Sequence, residues 1–247
     1  MTEQSHSGEP RSALITGAAS GIGRALTEEL AEQGYVLHLV DIDADALAGA
    51  ATSVSARTAT CESVADPGAV QNLADQIGAV DLLCLNAGVT STSAGAPWEA
   101  PLEEWDRVLG VNLYGVVNGL RSFIPPMLDR TTPSSILITA SLAGAATWPG
   151  GGPYAASKHA VLAIAEQAAL ALFDSHISVT VLCPALVRSG MSADGRDPAD
   201  VAVEALNAVA DRRFAVVPPE WAAAVELRAE TLVAGSQPEI PQPNSMP

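Results

Sequence analysis

Short apolar runs alternate with longer mixed runs along most of this chain. Residues 12–16 (SALIT), 35–41 (YVLHLVD), 81–85 (DLLCL), 134–139 (SSILIT) and 177–183 (ISVTVLC) carry Val, Ile and Leu at odd and even positions alike. A strand that is apolar on both sides belongs in a sheet with both faces covered, the usual setting of parallel strands. Residues 57–61 (RTATC) and 214–217 (FAVV) are weaker strand candidates. Helical runs lie between them, at 21–33 and 66–77 among others. The second begins well, with Asp66 as a capping residue and Pro67 at the first helical position. Helices are also expected from about residue 103 to 121 and after Tyr154, along AASKHAVLAIAEQAALALF. Alternation from residue 12 to about 217 predicts one α/β domain, a doubly wound parallel sheet with helices on both faces. Residues 1–10 are expected to be a flexible tail, 11–234 the folded domain, and 235–247, with four prolines, an irregular C-terminal tail.

Composition narrows the choice of partners. Hydrophobic residues make up 48% of the 247 positions and charged residues 16%, which suits a globular protein with a substantial core. A formal net charge of -16 would repel nucleic acid and anionic lipid, so neither is expected as a partner. Residues 131–157 carry no charge, but Pro133, Pro149, Pro153 and three consecutive glycines would break a membrane helix. That segment suits a buried strand followed by the wall of a pocket. Cys61, Cys84 and Cys183 are far apart and form no metal-ligand spacing, so no metal site is expected. An odd number of scattered cysteines points to reduced thiols and a cytoplasmic location. The N-terminus, MTEQSHSGEPR, has no apolar core of the kind a secretion signal needs.

The first strand runs directly into TGAASGIG, Thr16 to Gly23, and then into a helix. Gly17 allows the tight turn, Gly21 lets backbone approach a pyrophosphate, and Gly23 lets helix and strand pack closely. The helix N-terminus adds free N–H groups and a favourable dipole. This is the Rossmann-type arrangement for a dinucleotide. Asp41 ends the second strand 18 residues after Gly23, close to the spacing of about 20 expected of a carboxylate on the adenosine ribose. The same residue would also make an ordinary turn aspartate in the acidic run DIDAD.

The chain has a single lysine, Lys158, four residues after one of three tyrosines, Tyr154. In a helix these positions share a face. A nearby ammonium favours a phenolate, and a lysine can also reach a ribose diol. Tyr-x-x-x-Lys alone is a common chance pairing. Here it accompanies Ser141 at the end of a strand, LNAG at 85–88, and Asn112 in VNLYG. Together these resemble the short-chain dehydrogenase/reductase family in its compact single-domain form, over about residues 12–191.

The resemblance implies a set of roles. Tyr154 would be the general acid/base, and Lys158 would bind the nicotinamide ribose and lower the pKa of the tyrosine. Ser141 would bind the reacting oxygen, and Asn112 would hold a water of a proton relay. Gly17, Ser20, Gly21, Ile22 and Gly23 would line the pyrophosphate. Asp41, Ile42, Ser63, Val64, Asn86, Ala87 and Gly88 would serve the adenosine side, and Pro184, Val187 and Ser189 the nicotinamide side. There are departures from the family pattern. Leu85 stands where an Asn is common, Ser63 where an Asp is common, Ala185 replaces the usual Gly and Ser189 the usual Thr.

The cofactor expected is NAD. Asp41 would repel a 2′-phosphate, and the places where users of NADP carry a cation hold Ser20 and Ile42. Arg24 is the one cation close enough to alter this. The expected reaction interconverts a secondary alcohol and a ketone. A pocket formed by Leu142, Ala143, Trp148 and Met191 suits a neutral, bulky or aromatic substrate, with a lid over about residues 190–212. Arg196 in the lid is expected to be solvated between its neighbouring aspartates. A homotetramer, or failing that a homodimer, is expected because the helix after Tyr154 is apolar almost all round. Two other readings remain: a dinucleotide-binding regulator without turnover, and an isomerase or dehydratase on the same scaffold.

Overall fold

The computed structural model describes residues 10–92 and 95–243. In chain order the elements are β1 (Ser12–Thr16), α1 (Gly21–Glu32), β2 (Val36–Asp41), α2 (Ala44–Val54), β3 (Thr58–Cys61), α3 (Pro67–Ile77) and β4 (Leu82–Leu85). There follow α4 (Leu102–Leu109), a π-helical turn (Gly110–Tyr114), α5 (Gly115–Leu128), β5 (Ser134–Thr139), α6 (Leu142–Ala145) and α7 (Gly152–Ala171). The chain continues with β6 (Ile177–Leu182), α8 (Pro198–Ala210), β7 (Ala215–Val216), a 3₁₀ turn (Pro219–Trp221) and α9 (Ala222–Ala234). The seven strands form one parallel sheet in the order β3-β2-β1-β4-β5-β6-β7.

Side-chain alternation along the strands builds two cores, one on each face. Leu14, Leu83, Ile136, Ile138 and Val181 face α3, α5 and α7. Ala13, Ile15, Leu39, Cys84 and Leu137 face α1, α2 and α8. Both sets are buried, which explains the continuous apolar runs in the sequence. The chain winds outward from β1 in one direction and from β4 in the other, so β1 and β4 flank the switch point. Beyond the strand ends at this switch point is the position where such sheets bind ligands.

All seven expected strands and the principal helices are present, with ends shifted by a residue or two. Asp66 caps α3 by accepting from the N–H groups of Gly68 (2.8 Å) and Ala69 (3.1 Å). Other expectations need correction. The helix expected over 103–121 is α4 and α5 joined by the π turn, and it continues to Leu128 despite Pro125 and Pro126. The proposed lid at 190–212 divides at Pro198. Beyond it lies α8, whose Val201, Ala202, Ala205 and Leu206 are buried against the sheet, so 198–210 is core rather than lid. Arg196 is exposed, as expected, and also pairs with Glu204 on α8 at 2.8 Å. The helix α9 was not expected at all. It is rich in good helix formers but buries only Ala224, so it carries almost no amphipathic signal. Of the two expected tails, residues 1–9 and 244–247 lie outside the described residues, and 235–243 form neither helix nor strand. No helix among the described residues is long and apolar enough to cross a membrane.

Candidate active site

The loop between β1 and α1 is shaped by its glycines. Gly17 has φ +67°, and a Cβ there would stand 2.8 Å from the Cα of Ala87, so the first loop and the loop after β4 touch backbone to backbone. A Cβ on Gly23 would meet the carbonyl oxygen of Gly17 at 1.9 Å. Gly21, with φ +51°, lies beneath Ser189, whose Cβ would be 3.0 Å from an added methyl. The cap residue Ser20 makes no side-chain bond to α1, so its side chain does not occupy the first-turn donors of that helix.

Asp41 is more than a turn residue. One carboxylate oxygen accepts from the N–H of Ala19 at 2.9 Å and the other from Asp43 at 3.1 Å, tying the end of β2 to the phosphate loop. Ile42 beside it is exposed, Ser63 is half-buried and Val64 is buried. Arg24 turns away. Its guanidinium bonds Glu28 at 2.7 Å and the hydroxyl of Ser53 at 2.9 Å. Asn86 is a strut across the switch point. Its amide donates to the carbonyls of Thr16 (3.1 Å) and Gly17 (3.4 Å), and its carbonyl accepts from the hydroxyl of Thr139 (3.0 Å). Leu85, at the position where the family often has Asn, is buried, and Gly119 of α5 makes room for it.

The chemistry-bearing side chains meet at the ends of β4, β5 and β6. Ser141 caps α6 and is buried; its hydroxyl accepts from the N–H of Ala143 (3.1 Å) and reaches the carbonyl of Pro184 (3.4 Å). Its hydroxyl also acts on the phenol of Tyr154, favouring the ionised form. Lys158, one turn along α7, is buried, and its Nζ donates to the carbonyl of Thr139 at 2.9 Å. The ammonium lies 5.9 Å from the centre of the Tyr154 ring. Burial lowers its pKa to about 8. Gly144 allows this packing, since a Cβ there would stand 2.4 Å from the carbonyl oxygen of Lys158.

The surroundings of Tyr154 and Asn112 add detail to two expected roles. Burial raises the phenol of Tyr154 above its ordinary value, and the bond from Ser141 pulls it down in part. Asn112 sits in the π turn, fully buried, with its side chain already engaged. Its Oδ1 accepts from the N–H of Val89 (2.8 Å), and its Nδ2 donates to the carbonyl of Val89 (3.0 Å) and to Ser157 Oγ (2.9 Å). Its side chain is thus a strut that fixes the loop after β4: both Nδ2 protons are used, while Oδ1 keeps one lone pair. Such π turns recur at functional sites.

Several supporting residues were missed from sequence. Thr139, Thr16 and Ser157 each stand beside a motif residue, and that adjacency was the only signal. Thr16 Oγ1 accepts from the N–H groups of Asn86 (3.0 Å) and Ala87 (3.1 Å). Ser157 links Asn112 to the carbonyl of Tyr154 (2.7 Å). Of the expected substrate-pocket residues, Ala143 is buried and Leu142 half-buried, while Trp148 and Met191 are exposed. Pro184, Val187 and Ser189 lie on the loop after β6, with Val187 buried and Pro184 bonded to the N–H of Leu142 at 2.9 Å.

A parallel doubly wound sheet with a glycine loop at its switch point and a Ser–Tyr–Lys cluster beside it defines a dinucleotide-dependent oxidoreductase. Residues 11–200 match the short chain dehydrogenase family, and the chain belongs to it. It is 40% identical over 192 residues to 1-deoxy-11-beta-hydroxypentalenate dehydrogenase of Streptomyces avermitilis, covering 74% of this chain and 71% of that protein. It is 32% identical over 192 residues to 2-(R)-hydroxypropyl-CoM dehydrogenase of Xanthobacter autotrophicus, covering 74% and 76%. A crystal structure of a short chain dehydrogenase/reductase from Burkholderia phymatum in complex with NAD superposes with a TM-score of 0.87 at 32% identity, covering 96% of this chain and 99% of that one.

Proposed function

We propose that the protein interconverts a secondary alcohol and a ketone with NAD(H), in the cytoplasm. The observation that carries this reading is the buried lysine held against both the tyrosine ring and the end of β5, within one cluster with Ser141. A regulator without turnover would need no such cluster. The residues fit the cofactor. The glycine-lined loop closes onto Ala87, Asp41 ends β2 beside an exposed residue, and Lys158 uses one of its three protons on Thr139. A ribose diol would accept the others. The related structure with NAD and the dehydrogenases of hydroxylated compounds support the same reading.

When bound, NAD supplies the hydride acceptor. The chain supplies position and the proton path. Ser141 orients the hydroxyl oxygen, Tyr154 takes or gives its proton, and the charge of Lys158 stabilises a phenolate as it forms. Asn112 keeps the loop after β4 in place. Gly17, Gly21 and Gly23 would leave room for the pyrophosphate, and Asp41 would hold the adenosine ribose.

A raised phenol pKa has a directional consequence. At neutral pH Tyr154 is protonated and is an acid for ketone reduction. Oxidation needs the phenolate, so its rate should climb with pH and keep climbing beyond about 10, the ordinary phenol value, while reduction slows only there. Following NADH absorbance with a panel of secondary alcohols and ketones across this range tests both the activity and the sign. A purified protein that reduces or oxidises none of them, with NAD present, would refute the reading.

The substrate is proposed to be neutral and bulky or aromatic. Leu142, Ala143, Trp148 and Met191 offer apolar surface, and Arg196 is already paired. Small anionic keto acids should be far poorer substrates than neutral aryl ketones. The working unit is proposed to be a homotetramer. Leu102, Tyr114 and Leu128 on α4–α5, with Leu170 and Phe173 at the end of α7, are exposed apolar side chains that a subunit contact would cover. Light scattering should give about four times 25.2 kDa; a 25.2 kDa particle at micromolar concentration would rule this out.

A further inference from the structure

The five residues from Gly88 to Thr92 have no helical or strand structure, yet their backbone is closely held. All the bonds described for it come from a single helical run. Asn112 takes both polar groups of Val89. Arg107 donates from Nη2 to the carbonyl of Thr90 at 2.7 Å. Glu104 accepts from the N–H of Thr92, from its hydroxyl at 3.1 Å, and from the hydroxyl of Ser91 at 2.9 Å. Arg107 also grips Glu104 itself, at 3.0 and 3.1 Å. Glu104 is only 7% exposed, although it belongs to a helix that is otherwise mostly open to solvent. A buried carboxylate is costly unless several donors meet it. Here the donors come from the loop and from Arg107, and they hold the Glu104 pKa down to about 2.

At its other end the segment touches the reactive cluster. A Cβ on Gly88 would stand 3.4 Å from Asn112 Oδ1 and 3.5 Å from Lys158 Nζ. The loop backbone is therefore part of the wall that separates the ammonium from water. We propose that Glu104 and Arg107 are positioning residues for the reaction: by pinning Thr90 to Thr92 they keep Gly88 and Val89 closed against Lys158 and Asn112. This rests on Lys158 serving the proposed chemistry. The titratable groups that face Lys158 are the phenol of Tyr154, on its own helix, and the thiol of Cys183 at the end of β6, which burial pushes up to about 11. Neither sits on the clamp, so loosening the clamp changes the hydration of the lysine and not its charged neighbours.

Because Lys158 is the only lysine, the full chain labelled with ¹³Cε/¹⁵Nζ-lysine gives one side-chain NMR signal to titrate. In the wild type that signal should titrate near the depressed value of about 8. In Glu104→Gln and in Arg107→Gln it should move up, toward the value of about 10.4 for a solvated lysine. Amide exchange at Val89 to Thr92 should quicken, and kcat for a secondary alcohol should fall by about tenfold. Arg107 is partly exposed, so its variant remains a test if Glu104→Gln folds poorly. Folded variants that titrate as the wild type and keep its kcat would overturn the proposal, leaving the pair as a tether for α4 alone. The titration needs no substrate. A wild type inactive on every alcohol would sink the functional reading, while the lysine signal would still decide whether the clamp holds the loop.

Discussion

Tyr154→Phe is expected to lower kcat by about two orders of magnitude or more, with fold and NAD affinity close to wild type. In the proposed chemistry the phenol exchanges the proton with an oxygen held by Ser141, whose hydroxyl acts on it. Removing its oxygen leaves the ring in place, still facing the ammonium of Lys158 at 5.9 Å. The scaffold loses one hydrogen bond, worth about 1 kcal/mol, too little to unfold a domain of this size. Thermal unfolding and fluorescence titration with NADH would check the intact parts, and stopped-flow turnover the lost one. A variant that retained most of its kcat would remove Tyr154 from the mechanism. Lys158→Arg should fail as well, although the charge is kept. The ammonium fits between the carbonyl of Thr139 and the backbone of Gly88, and a planar guanidinium is too broad for that space.

The second large effect is cofactor choice. kcat/KM should favour NAD over NADP by at least about a hundredfold, or about 2.7 kcal/mol. A 2′-phosphate carries nearly two negative charges and would lie against the carboxylate of Asp41. That carboxylate is held in place by the N–H groups of Ala19 and Asp43, so it cannot swing aside without freeing the phosphate loop. Arg24, the cation that threatened this expectation, is engaged with Glu28 and Ser53. Ile42 is 69% exposed, so an arginine there has room to reach a phosphate. Asp41→Ala with Ile42→Arg should shrink or reverse the ratio. Asp41→Ser with Ile42→Arg should do so at less cost to overall activity, because a hydroxyl can still accept from Ala19. Equal use of both cofactors by the unaltered protein would reduce Asp41 to a loop strut.

Much of this fold was legible in one dimension because each strand is apolar on both sides and each connection returns through a helix. These patterns depend only on the periods of strand and helix. The candidate active-site cluster was legible for a similar reason. Tyr154 and Lys158 share a helix face, and the glycines of the first loop are demanded by local backbone geometry. Elements that bury little left no such trace. The helix α9 covers a single residue fully, and α8 was taken for a lid because the loop before it ends only at Pro198.

The sequence by itself therefore determined the class of sheet, the dinucleotide loop, and the pairing of the sole lysine with its tyrosine, since all three follow from spacing within one element or across one turn. Only the tertiary structure decided what those groups experience. The pKa of Lys158 is lowered by burial among residues from β5, β6 and the loop after β4, and Tyr154 is raised by the same enclosure. Asn112 is engaged with Val89 and Ser157, 23 and 45 positions away. Arg24 is engaged with Glu28 and with Ser53, 29 positions away, and Glu104 closes on a loop twelve residues back. Desolvation and hydrogen-bond saturation are sums over neighbours in space, and no local spacing along a chain records them.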